Sequence, residues 1–292
     1  MKFIDLFAGI GGFRSGMEQA GHTCIGYVEN NKYARQSYQA IYDNQGVWTK
    51  HDIRNITAST IPPASCWCLG FPCQDISTAG KQKGLRKSNR SSLFYCVTNL
   101  LNQLPQTDRP AYLFIENVKN LLSVNHGFDF LRILLELDKN GYDAEWEILD
   151  TAQVLPQHRE RIYIIGHLRT KGTQQVFPIR LQHSKAETRL LTSSSQETPV
   201  ILQRARGKNH GSRHTIAPTL TSSAYQDNHI LYYRNELRKL TPLECWRLQG
   251  FSDQQFYQAQ QAGLSDSQLY KQAGNAASVP VIKLIAQRLL EY

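Results

Sequence analysis

Cys73 sits in Gly70-Phe71-Pro72-Cys73-Gln74, directly after the apolar run Ala64–Leu69. The thiolate is the reactive form of cysteine. A loop just past the C-terminal end of a strand is where doubly wound sheets place ligands. Cys24, Cys66, Cys68 and Cys96 lie outside any such Gly/Pro-bounded loop and read as small buried hydrophobes. A carboxyl follows in Ile115-Glu116-Asn117-Val118, closing the run Tyr112–Ile115. Held protonated at a strand end, such a group can donate to a ring nitrogen. Further on, Gln157-His158-Arg159-Glu160-Arg161 opens another apolar run. In extended chain Arg159 and Arg161 project to one side, where they can share a carboxylate or an oxyanion.

A second group of residues suits a nucleotide-like ligand. Asp5-Leu6-Phe7-Ala8-Gly9-Ile10-Gly11-Gly12-Phe13 follows the first apolar run and opens a helix. Glycines there let backbone approach a ligand closely. A dinucleotide fingerprint starting at Gly9 and Gly11 needs glycine at position 14, where this chain has Arg14, so a nicotinamide-dependent oxidoreductase is disfavoured. Glu29 ends the next strand, where an acid accepts from ribose hydroxyls. Asp52 is placed to bind an adenine amino group. The stretch from Gly80 to Arg90 carries five basic residues and two glycines, the composition of a phosphate-touching lid.

The elements that must carry these residues alternate. Phe3–Phe7, Thr23–Val28, Ala64–Leu69, Ala111–Ile115 and Arg161–Leu168 read as strands, and Ser91–Leu104 and Phe128–Lys139 have helical spacing, with Gly141 as a stop signal. This alternation predicts an α/β fold with a doubly wound, mostly parallel sheet. After about residue 170 the pattern fades into Arg, Lys, His, Gln, Ser and Thr, read as a second, smaller, loop-rich domain. Thr241-Pro242-Leu243-Glu244 reads as a helix start, with threonine as N-cap and proline at the first position. Ser278–Leu290 is apolar at helical spacing and is expected to pack back onto the first domain. The expected division is 1–169 plus 270–292 for the catalytic domain and 170–269 for the small one.

Charge follows the same division. The chain has 292 residues and a net charge of +9. Residues 1–150 carry 15 basic and 15 acidic side chains, whereas 169–239 carry 12 and 4. A basic segment beside a neutral body suggests a polyanion-binding region on a catalytic core. Asp5 interrupts the first apolar stretch, so no secretion signal is expected. No run approaches the roughly 20 apolar residues of a membrane span. A cytoplasmic, monomeric protein with reduced thiols is the expectation. Cys66 and Cys68 straddle Trp67, and no paired cysteine or histidine set follows, so no metal is expected.

In combination these segments closely resemble the cytosine-C5 DNA methyltransferase family. FAGIGGF, the acid of YVEN, HDI, GFPCQ, ENV, QHRERIYIIG, RKLTPLECWRLQGF and QAGN occur in the family's order and span residues 3 to 279. The resemblance implies a fold of the S-adenosylmethionine-dependent type, with S-adenosyl-L-methionine as cofactor, S-adenosyl-L-homocysteine as product and double-stranded DNA as partner. It implies a target cytosine flipped from the duplex, attack by Cys73 on C6, and stabilisation of protonated N3 by Glu116. Arg161 would hold the base, Arg159 would support it, and Asn117 would position the loop carrying Cys73. The implied cofactor set is Asp5, Phe7, Gly9, Gly11, Gly12, Phe13 (against the adenine), Glu29, Asn30, Asp52, Ile53, Pro72 and Asn275. DNA contacts are implied for Gln74, Ser77, Lys81, Gln82, Lys83 and Arg90. Others fall to Arg206, Arg213 and Thr219 of a target-recognition region at 170–236.

Three departures mark this chain. Asn30 stands where relatives often have an aromatic residue, Arg86-Lys87-Ser88-Asn89-Arg90 is more basic than the usual loop, and Ala276-Ala277-Ser278 follows Asn275. Besides a bacterial or phage-encoded DNA enzyme, with or without a cognate restriction endonuclease, two readings share these motifs. One is a tRNA cytosine-C5 methyltransferase, since RNA is read by shape and unpaired bases. The other is an inactive DNA-binding protein of the same fold, against which the intact Cys73, Glu116 and Arg161 speak.

Overall fold

The computed structural model describes residues 1–71, 93–179, 199–205, 210–223 and 229–290. Pro72, Cys73, Gln74, Ser77, Lys81, Gln82, Lys83, Arg90 and Arg206 lie outside the described residues.

The first half alternates as the sequence predicts. In chain order come β1 (Lys2–Leu6), α1 (Gly12–Gln19), β2 (Thr23–Val28), α2 (Lys32–Ile41), β3 (Trp48–Lys50), β4 (Cys66–Leu69) and α3 (Leu93–Gln103). They are followed by β5 (Tyr112–Val118), α4 (Phe128–Lys139), β6 (Tyr142–Asp150) and β7 (Glu160–Leu168). Among the described residues these strands form one seven-stranded sheet in the order β3-β2-β1-β4-β5-β7-β6. Pairings from β3 to β5 are parallel, and β7 runs antiparallel to both neighbours.

Period-two alternation supplies both faces. Ile4, Leu6, Trp67, Leu69, Leu113, Ile115, Ile162 and Ile164 bury one face against Val97 and Leu101 of α3 and Ile133 and Leu137 of α4. Phe3, Cys66, Cys68, Phe114, Tyr163 and Ile165 bury the other against Phe13 and Met17 of α1 and the C-terminal helix α8 (Val279–Ala286). Each fully buried aliphatic side chain contributes roughly 2 kcal/mol of transfer free energy.

β6 was not foreseen. Its acids face the α1 side of the sheet, where Glu145 accepts from the N–H groups of Val176 at 2.5 Å and Phe177 at 3.1 Å, and Glu147 from Ile179 at 2.8 Å. Val176, Phe177 and Ile179 are therefore part of the large domain's core. The packing boundary falls after them rather than at 170.

The region expected to be loop-rich contains a four-stranded antiparallel sheet among the described residues, in the order β11-β10-β8-β9. Its strands are β8 (Val200–Gln203), β9 (Ser212–His214), β10 (Ile230–Tyr233) and β11 (Glu236–Lys239). Three helices follow: α5 (Pro242–Arg247), α6 (Asp253–Gln261) and α7 (Asp266–Asn275). Thr241 caps α5 as expected, accepting from Glu244 N–H at 3.2 Å while the Glu244 carboxylate accepts from Thr241 N–H at 2.8 Å. Leu220, Leu231, Leu240, Trp246, Phe256 and Leu269 share a core with Ile10 and Val279. The expected boundary at 269/270 cuts through α7, which this core holds as one piece.

Candidate active site

Strand order reverses at β1, which lies between β2 and β4. The carboxyl ends of β1, β2, β4 and β5 meet there, and such a switch point is the ligand crevice of an open α/β sheet. They deliver, respectively, the Gly-rich turn, Glu29, Gly70 and Glu116.

The turn carries local strain. Phe7 has φ 59, a left-handed conformation uncommon for a bulky side chain. Strain of this kind clusters at ligand sites. Gly9 (φ 56) faces open space, whereas a Cβ on Gly11 would overlap the Tyr42 ring and one on Gly12 would come within 2.8 Å of the Ala277 carbonyl. Only Gly9, then, leaves room for a ligand; the other two permit close packing within the chain. Phe7 is half-buried, while Phe13 is 5 % exposed with its ring edge-on to Phe114 at 5.0 Å. Phe13 therefore has little ring face exposed, and Phe7 is half-buried against the sheet's other core.

Glu29 is fixed by its own neighbours, accepting from Gly9 N–H at 2.7 Å and Asn31 N–H at 2.6 Å. Burial raises its pKa, and those two N–H groups oppose the rise. Asn30 is exposed. Asp52 caps a short turn, accepts from Arg54 N–H at 3.0 Å and pairs with the Arg54 guanidinium, which holds its carboxyl below the usual range. Ile53 is buried behind it. Asp5 is wholly buried. Burial pushes its pKa up to about 8 against the opposing N–H and charge of Arg14. Arg14, the residue that breaks the dinucleotide fingerprint, is spent within the chain. It donates to Glu18, Asn44 and the Asp43 carbonyl and lies over the Tyr42 ring at 4.5 Å.

At the end of β5, Glu116 Oε1 lies 3.1 Å from Arg161 Nε, with both side chains about one-seventh exposed. A Cβ on Gly70 would stand 3.8 Å from Glu116 Oε2, so the loop leading to Cys73 starts against this carboxyl. Asn117 turns to the other face of the sheet. It is 2 % exposed, its Oδ1 accepts from Val118 N–H at 2.8 Å, and its Nδ2 is buried without a partner.

The structure separates the two arginines. Arg161 reaches Glu116, but Arg159 is 3 % exposed and donates to the carbonyls of Leu220, Gly274 and Ala276. Those carbonyls draw it inward, away from Glu116. Gln157, in the same motif, is fully buried and bonds both Leu220 and Leu248. Its signal was a polar residue in register with Arg159 and Arg161. Thr219 donates to the His158 carbonyl at 2.7 Å, Arg213 is exposed on β9, and Asn275 is exposed at the end of α7. Among the described residues no group of three His, Cys, Asp or Glu side chains could hold a metal, and no helix is long and apolar enough to cross a membrane.

This arrangement accords with comparisons across known proteins. The sequence matches the C-5 cytosine-specific DNA methylase family over residues 1–216 and, overlapping, 182–291. It is 33% identical to the type II methyltransferase M.DsaV of Dactylococcopsis salina, covering 100% of this chain and 86% of that protein. It is 34% identical to M.NlaX of Neisseria lactamica, covering 99% and 96%. The fold superposes on the Entamoeba histolytica methyltransferase EhMeth with a TM-score of 0.74 at 23% identity, over 97% and 96% of the two chains. The chain therefore belongs to the C-5 cytosine-specific DNA methylase family, whose members are S-adenosylmethionine-dependent enzymes.

Proposed function

We propose that the protein methylates cytosine at C5 within a short specific DNA sequence. The observation that carries this reading is the Glu116–Arg161 pair at the switch point, with Gly70 of the nucleophile loop against it.

The residues at the switch point fit the cofactor. Gly9 leaves open space, Phe7 offers a ring, Glu29 is a fixed acceptor for ribose hydroxyls, and Asp52 is an acceptor for an adenine amino group. Gly11, Gly12, Phe13 and Asp5 shape this site from behind, with Asn30, Ile53, Pro72 and Asn275 at its border. S-adenosylmethionine, when bound, supplies an electrophilic sulfonium methyl group. Cys73 adds to C6 of the flipped cytosine, and the Glu116 carboxyl supports the proton at N3, so that negative charge does not accumulate on the ring. Arg161 orients Glu116 and the base. The free Nδ2 of Asn117 supports a role in holding the Cys73 loop through a carbonyl. After methylation of C5 a base removes the C5 proton, and Cys73 leaves by β-elimination.

DNA would be held by the basic region at 170–236 and by the loop containing Gln74, Ser77, Lys81, Gln82, Lys83 and Arg90. Arg206 and Arg213 would contribute from the small domain. Thr219, whose hydroxyl is given to His158, acts as a strut. A restriction endonuclease of the same specificity would be the functional counterpart in the cell.

Bisulfite sequencing of DNA from a methylation-free host expressing the protein tests the reading, beside a Cys73→Ala control. Methylcytosine in one short context, absent from the control, is the expected result. Unmodified DNA from folded protein, with labelled methyl appearing in tRNA instead, would overturn it.

A further inference from the structure

Arg159 presents a buried cation whose donors go to backbone. Nη1 donates to the Leu220 carbonyl at 3.0 Å, and Nη2 to those of Ala276 at 2.8 Å and Gly274 at 3.3 Å. Nε is buried without a partner. Burial and the nearby charge of Arg161 both disfavour this cation. Placing it here is costly, and the planar fork of arginine can span several acceptors where the single ammonium of lysine cannot.

The three carbonyls belong to segments with separate roles. Gly274 and Ala276 flank Asn275, at the border of the cofactor site. Leu220 ends the Thr219-Leu220 pair inside the recognition region. Arg159 itself stands two residues from Arg161 and thus from Glu116. The surroundings leave little slack. Leu220 N–H donates to Gln157 Oε1 at 2.9 Å, Gln157 Nε2 donates to the Leu248 carbonyl at 2.8 Å, and Thr219 Oγ1 donates to the His158 carbonyl at 2.7 Å. A Cβ on Gly274 would overlap the backbone of Thr221.

We propose that Arg159 is a positioning residue that couples cofactor occupancy at Asn275 to the seating of DNA on the recognition region. The inference rests on the cofactor and DNA assignments made above. Ordering of 274–276 by the cofactor fixes the guanidinium, and the guanidinium fixes Leu220 and Thr219. The relation is reciprocal, so DNA must tighten the cofactor by the same factor. A residue that only touched substrate would change turnover and leave this linkage intact.

A binding cycle on the full chain tests it. S-adenosylhomocysteine affinity is measured by calorimetry with and without a duplex carrying the methylated sequence, for wild type, Arg159→Lys and Thr219→Val. DNA should tighten the wild-type affinity by about tenfold, within the usual range of coupling between sites. Arg159→Lys, folded by circular dichroism, should keep each separate affinity within about threefold while the coupling falls to about twofold or less. Coupling of wild-type size in the folded variant overturns the proposal. Should Arg159→Lys not fold, Thr219→Val decides: reduced coupling supports the clamp, and unchanged coupling overturns it. Wild-type protein that binds no S-adenosylhomocysteine would refute the cofactor assignment itself, an outcome distinct from binding without coupling.

Discussion

Arg161 and Glu116 meet diagonally across the antiparallel β5–β7 pair, Nε 3.1 Å from Oε1. Both side chains stay about one-seventh exposed. Glu116→Gln keeps the shape and removes the acid. It should lower the single-turnover rate of methyl transfer by about 10²- to 10⁴-fold, the usual contribution of a positioned acid. A rate within about threefold of wild type would show that the carboxyl has no part in proton transfer.

Cys73→Ala should abolish turnover because no other group in the proposed reaction can add to C6. The thermal midpoint and DNA affinity should stay near wild type. Methyl transfer by this variant, measured with labelled cofactor, would sink the covalent mechanism.

Stability should depend on pH at both ends. Asp5 has a folded pKa of about 8 against an ordinary 3.8. Its contribution is complete below 3.8 and is lost as pH rises through 8. His229, 5 % exposed with both ring nitrogens unpartnered, is lowered to about 4 by burial and by His214. Its contribution is present above 6.5 and is lost as pH falls through 4. One pKa unit corresponds to about 1.4 kcal/mol, so each group can move stability by a few kcal/mol. Urea midpoints between pH 4 and 8 should therefore fall less steeply on the alkaline side in Asp5→Asn. An identical slope in that variant would place the proton elsewhere.

Glu29→Ala removes the acceptor for two backbone N–H groups as well as the proposed ribose contact. Each stranded N–H costs about 1–3 kcal/mol where water cannot replace the carboxylate. The expected result is weaker S-adenosylhomocysteine binding by at least about tenfold, with DNA affinity little changed. Calorimetry showing wild-type cofactor affinity would remove Glu29 from the site.

DNA affinity should fall steeply with salt, as phosphate neutralisation releases counterions. Arg213 is exposed on β9, and Arg213→Ala should reduce the slope of log K against log salt by about 1. A slope equal to wild type would place Arg213 away from the phosphates.

Five strands of the large sheet were legible because each is an apolar run largely buried on both faces, whereas the three-residue β3, half-buried to exposed, left no such run. β6 was not legible, since Glu145 and Glu147 point into the fold and are satisfied by N–H groups some 30 residues away. Local pattern reads such acids as solvent-facing. The small sheet hid for a different reason: its strands have three or four residues and are largely half-buried or exposed. At the site, side-chain types and order single out Cys73, Glu116 and Arg161 as candidates; the structure brings Glu116 and Arg161 together, and Cys73 lies outside the described residues. Nothing in residue type marks Phe13 as edge-on to Phe114 or Phe7 as left-handed. Alternation placed Arg159 beside Arg161, but the carbonyls that turn it inward come from residues 220, 274 and 276.

Phe13 and Met17 of α1 share their core with Val281, Ile282 and Ile285 of α8, and a side chain on Gly16 would overlap Ile282. The partners are separated by more than 260 residues of chain. During synthesis the part of α1 that α8 covers, around Gly16, must therefore wait, facing water, while the small domain emerges. Order of manufacture and order of packing are opposed, so the half-made protein is an aggregation hazard. Its large domain closes only when α8 covers α1, after all the chain between them has been made.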